Sequence, residues 1–94
     1  MRLKKDEINV LKESLKRIAK DAKLYLFGSR VDDTKKGGDI DILIVSDKLS
    51  KQDLRVIRMD FHKKFGEQKI DILLDNGSFG DPFHKYIFQK AVLL

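Results

Sequence analysis

The segment GDIDILIV, residues 38–45, leaves a chain of this size few folds. Its β-branched run favours a strand, and side chains along a strand alternate with a period of two. Ile40, Ile42 and Ile44 therefore line one face, while Asp39 and Asp41 share the other. Such a strand belongs in a sheet with one face covered by apolar packing. The opposite face must give two carboxylates water or a counter-charge, because close carboxylates repel and burial raises both pKa values. A bound dication removes that penalty, and an all-oxygen donor set suits magnesium or manganese. There is no cysteine, so thiolate metal sites and disulfides are excluded, and a cytoplasmic setting is the expectation.

The rest of the chain supplies the other layers of one domain, 1–94. Ile8, Leu11, Leu15 and Ile18 recur at helical spacing within Lys4 to Lys20, which predicts an amphipathic helix. Lys23 to Phe27 reads as a short strand stopped by Gly28, and Gly28 to Gly38 as a turn of helix followed by a loop. Asp39 to Val45 is the second strand. Ser50 with Asp53 three residues on forms a capping box for a helix whose stripe is Leu54, Ile57, Phe61 and Phe65 and whose stop is Gly66. Lys69 to Asp75 is a third strand. Asp81-Pro82 is an N-cap followed by proline at the first helical position, opening a last helix before a short apolar strand in "VLL". The order α-β-turn-β-α-β-α predicts an α+β fold: a single mixed sheet flanked by helices.

The third strand repeats the chemistry of the second. KIDILL resembles GDIDILI, so Asp71 sits beside Asp39 and Asp41 if the two strands are neighbours, with Asp75 on the same face as the rival. Three carboxylates on one sheet face suit two-metal phosphoryl or nucleotidyl transfer. Upstream, Gly28 after a strand lets backbone amides approach an anion. The helical turn behind it aims its N-terminus at a phosphate, Ser29 adds a hydroxyl donor, and Arg30 offers a charge near the same phosphates. Asp32, Asp33, Lys35 and Lys36 read as a solvated loop. His62 and His84 read as surface or half-buried side chains without a ligand role. Phe61, Phe65, Phe83, Tyr86 and Phe88 read mostly as core, with those of the last helix as an alternative oligomer or partner surface.

Gly28-Ser29, nine intervening residues, then Asp39-x-Asp41 resembles the signature of the polymerase-beta-like nucleotidyltransferase superfamily. The short chain and the third aspartate in KIDILL resemble its minimal nucleotidyltransferase branch, although the spacer is one residue shorter than in many members. The resemblance runs from about Leu24 to the end. It implies that Asp39, Asp41 and Asp71 ligate Mg2+ or Mn2+ and carry catalysis, and that Gly28 and Ser29 bind the triphosphate of a donor such as ATP. It further implies a HEPN-family protein partner, and an antitoxin role exercised by adenylylating that partner.

Net charge is +5, which favours anionic partners. The basic residues are spread along the chain, and neither a basic recognition helix nor a surface-aromatic stacking motif is present, so nucleic acid is not an expected partner. Apolar runs are too short to span a membrane. In 94 residues little room remains for an acceptor-binding domain, so an acceptor surface is expected on a partner protein; a homo-oligomer is open. Two functions compete: transfer of a nucleoside monophosphate to a hydroxyl, or a non-catalytic antitoxin that neutralises its partner by contact.

Overall fold

A computed structural model describes residues 1–34 and 38–94. Helix α1, Lys5–Ile18, opens where the Glu7 carboxylate accepts from the Lys4 amide at 3.0 Å, and it ends at Ala19, whose backbone is extended. It is thus shorter than the expected Lys4 to Lys20. Strand β1, Lys23–Phe27, leads into the short turn of helix that the sequence suggests, a 3-10 turn over Gly28–Val31. Strand β2 is Ile40–Val45 and β3 is Ile70–Asp75; each begins one residue later than the sequence suggests. Helix α2, Lys51–Phe65, carries the expected Ser50–Asp53 capping box and stops at Gly66. Helix α3, Pro82–Phe88, is capped by Asp81, and β4 is the dipeptide Val92–Leu93.

The strands form one mixed sheet in the order β3-β2-β1-β4. β1 pairs antiparallel with both β2 and β4, and β2 pairs parallel with β3. A parallel pair needs a crossover, and α2 supplies it. The fold is therefore α+β with a single mixed sheet and helices packed on it, as the sequence predicts.

Period-two alternation sorts the sheet into two unlike faces. Leu24, Leu26, Ile40, Ile42, Ile44, Ile70 and Ile72 join Leu11 and Leu15 of α1 and Leu54, Ile57 and Phe61 of α2 in one apolar cluster. The two helices are also joined at their outer edge, where Asp60 accepts from Ser14 Oγ at 2.7 Å and Arg17 at 2.9 Å. The opposite face carries Tyr25, Phe27, Asp41, Leu43, Asp71 and Leu73. Short α3 covers part of it: Ile87 is buried, Leu43 is fully buried, and Phe88 meets Tyr25 edge-on at 5.1 Å. Towards the start of β2 and β3 this face is less covered: Asp41 is half-buried and Asp71 is exposed.

Of the two readings of the last-helix aromatics, core or exposed surface, Phe83 and Tyr86 follow the second. They are 55% and 58% exposed. Seven residues give α3 two turns, and Ile87 fills the buried position. Phe61 is core as expected, and Phe65 packs on it with ring centroids 4.9 Å apart.

Candidate functional site

Parallel pairing sets Asp41 of β2 directly against Asp71 of β3, and antiparallel pairing sets Phe27 of β1 on the other side of Asp41. Neighbouring strands lie about 4.8 Å apart, so the two carboxylates start from adjacent Cα positions on one face. Asp39 immediately precedes β2, and Lys69 immediately precedes β3. Lys69 Nζ lies 3.3 Å from Asp39 Oδ2. Partial burial, then the negative charges of Asp71 and Asp39, push the Asp41 carboxyl above its ordinary value, against the opposing charge of Lys69. The hydrogen bond to Asp39 and the charges of all three acids pull the Lys69 ammonium up in turn. The register brings Asp71 beside Asp41. The rival, Asp75, is paired with Val45 at the far end of the same strands.

The donor set is three hard carboxylates, and its unfavourable self-repulsion is the kind a divalent cation relieves. In that respect Asp39, Asp41 and Asp71 fit magnesium or manganese. Among the described residues, no group of three or more His, Cys, Asp or Glu side chains is gathered into a metal cage; Asp39 instead leans on Lys69.

Two glycines make room for the site's side chains. Gly28 has φ +78°, and a Cβ there would lie 3.1 Å from Asp41 Cγ and overlap its Oδ2. Gly38, with φ +86°, stands in the same relation to Ser29 Oγ. Positive φ and close approach both select glycine. The sequence suggests only the first glycine, and for phosphate approach; the structure adds that Gly28 lets Asp41 stand against the turn.

Arg30 is tied into the backbone around this turn. Its guanidinium donates to Gly38 O at 3.3 Å and to Arg2 O at 3.0 Å. With the Gln68 amide oriented to satisfy both neighbours, Arg30 donates to its oxygen at 3.0 Å and its nitrogen donates to Glu7 Oε2 at 3.1 Å. Arg2 donates to Ser29 O at 3.2 Å. The network explains why Glu7 is buried at the start of α1, and it fastens that helix to the Gly-Ser turn. Lys35 and Lys36 lie outside the described residues.

Asp75 is 5% exposed. Burial would raise its pKa, but hydrogen bonds from His84 and from the Gly77 and Phe79 amides outweigh it and leave the carboxyl below its ordinary value. His84 Nδ1 lies 3.0 Å from Asp75 Oδ1. This pair joins the start of α3 to the end of β3. The histidine lies far from the acids along the strands and has a structural use that its sequence neighbourhood does not reveal.

A cavity of about 300 Å³ opens over the acids, lined by Phe27, Asp41, Asp71, Leu73, Phe83 and Arg58. Arg58 was not singled out from the sequence; on α2 it looks like one more solvated cation. Its only signal is that α2 packs beside the edge strand β3, a fact of tertiary structure. A second cavity of about 360 Å³ begins at Gly28 and runs along Tyr86, Ile87 and Lys90.

A mixed sheet that sets paired carboxylates at the start of two strands, beside a glycine-serine turn closing a third, defines the nucleotidyltransferase class of fold. The family model for the nucleotidyltransferase domain matches residues 8–94. The chain belongs to that family, within the polymerase-beta-like superfamily, and nucleotidyl transfer is its general function. No curated protein gives a significant match to the chain. No helix among the described residues is long and apolar enough to cross a membrane.

Proposed function

We propose that the chain is a divalent-metal-dependent nucleotidyltransferase that moves AMP from ATP to a hydroxyl of a HEPN-type partner protein, and that it serves as the antitoxin of that pair. One observation carries the transfer chemistry: Asp41 and Asp71 are register partners on adjacent strands, and Gly28 leaves Asp41 its place beside the Gly-Ser turn. The partner and the antitoxin role rest on the resemblance of the motif set to minimal nucleotidyltransferases.

In this scheme Asp39, Asp41 and Asp71 hold Mg2+ or Mn2+, which when bound neutralises phosphate charge and makes the acceptor hydroxyl a stronger acid. The Gly28-Ser29 turn receives the outer phosphates, and Arg30 is available to them at the expense of one of its backbone bonds. The acceptor oxygen bonds to the α-phosphorus, the α–β bridging bond breaks, and pyrophosphate leaves. Asp71, the most exposed to the incoming group, orients the hydroxyl and takes its proton, a task set by geometry first and pKa second.

ATP labelled at the α-phosphorus, incubated with the chain, Mg2+ and a HEPN-family protein encoded beside it, tests the proposal. Label should appear on that protein, require Asp39 and Asp41, and be absent when the label is at the γ-phosphorus. In cells, Asp39→Asn and Asp41→Asn should abolish neutralisation of the partner. Neutralisation that survives both substitutions would instead mark a contact-only antitoxin.

A further inference from the structure

Helix α3 turns two large rings to solvent, Phe83 at 55% and Tyr86 at 58% exposed. Three residues apart on one helix, they are neighbours on its surface. Each lines one of two cavities that share Phe27: Phe83 lines the one with Asp41, Asp71 and Arg58, and Tyr86 the one with Gly28 and Asp32. Lys90 Nζ lies 5.7 Å from the Tyr86 ring centroid, so the second cavity carries a cation against an aromatic wall as well as the Asp32 carboxylate.

The strand order gives these rings a direction. Asp71, Asp41 and Phe27-Gly28 stand in a row across β3, β2 and β1. Attacking and leaving oxygens lie roughly in line through the reacting phosphorus. With pyrophosphate at Gly28 and the incoming hydroxyl at Asp71, that line follows the row. The ribose is joined through an equatorial oxygen, so the nucleoside departs at a steep angle to the row. The sheet blocks one side, and α3 stands over the sheet on the other.

We propose that Phe83 and Tyr86 form a nucleobase platform, on which the heteroaromatic base of the donor nucleotide stacks while Lys90 adds positive charge at its edge. The platform rests on the nucleotidyl-transfer assignment of the acids. Stacking on an aromatic side chain needs only the π-face of the base, which suits a wall of rings otherwise left in water.

Calorimetry with Mg-ATP and with Mg-bound inorganic triphosphate separates the two layers of the proposal. Both rings are exposed, so a Phe83→Ala/Tyr86→Ala double variant opens no core cavity. It should bind Mg-ATP about tenfold or more weakly and bind inorganic triphosphate as the parent does. Tyr86→Phe should keep the parent's ATP affinity. Unchanged ATP binding in the double variant overturns the platform and leaves the rings as a protein-facing surface. Equal loss of both ligands also overturns it, since the damage would then lie in the phosphate site. A parent chain that binds neither ligand refutes the assignment of the acids, and the platform with it.

Discussion

Asp41 is the residue on which the site turns, and its environment is unfavourable by construction. Burial and two neighbouring acids raise its pKa, so the folded state holds the proton more tightly than the unfolded chain does. The stability associated with the protonated form is present at low pH and is lost as pH rises from the ordinary value of 3.8 through the raised folded value. At neutral pH without metal, Asp41→Asn should therefore raise the melting temperature, and the difference should vanish in acid; a lower melting temperature for the variant at pH 7 would show that Asp41 is not repelled by its neighbours. The same substitution should abolish Mg-ATP binding, a conflict between stability and activity common at working sites. Gly28 acts through this carboxylate. Gly28→Ala should cost about 1–2 kcal/mol through its left-handed backbone. It should also weaken Mg-ATP binding by about 10- to 100-fold by displacing Asp41, the scale of losing support behind a metal ligand. Thermal melts and calorimetry on the one variant check both. Asp71→Asn should keep Mg-ATP affinity within a few-fold and lower transfer by about 10²-fold, which binding and single-turnover assays on the same preparation resolve.

At the scale of elements, the parallel pair β2–β3 delivers the acids and α3 closes the sheet beside them. The Asp75–His84 pair, 3.0 Å apart, ties α3 to the end of β3. His84→Ala removes a partner of a buried carboxylate and should destabilise the protein by about 1–3 kcal/mol, read as a lower urea midpoint. The folded pKa of Asp75 is depressed, so its contribution is complete above the ordinary value of 3.8 and is lost as pH falls through the lower folded value. Asp75→Asn should flatten that acid limb of the stability curve. The elements themselves were legible because each carries its own local signal: alternation in β2, the Ser50–Asp53 box and Gly66 around α2, Asp81-Pro82 before α3. The adjacency of Asp41 and Asp71 was legible only as a condition, since register is a long-range property. Arg58, the Arg30–Gln68–Glu7 network and the Asp75–His84 pair were not legible: each joins residues whose proximity comes from packing and has no local pattern. Phe83 and Tyr86 could be read only as core or surface for a related reason, because hydrophobic character reports burial only when another layer is there to supply it.

For the whole molecule, one face of the sheet is spent on a core against α1 and α2, and the other is left half open with its acids at the rim. Most of the core thus sits on the face away from the acids, and variants of Asp39, Asp41 and Asp71 should all fold. A ligand that binds the folded state stabilises it by mass action. Mg-ATP at a hundred times its dissociation constant should add about 2.7 kcal/mol, a rise in melting temperature of roughly ten degrees or more in a chain of this length. ATP with EDTA should add far less. The most direct test of the account is a calorimetric titration of Mg-ATP into the parent and into Asp41→Asn at pH 7. The account predicts saturable, one-to-one binding to the parent that EDTA abolishes, and no measurable binding to the variant. Equal binding by the two proteins, or parent binding that survives EDTA, would contradict it.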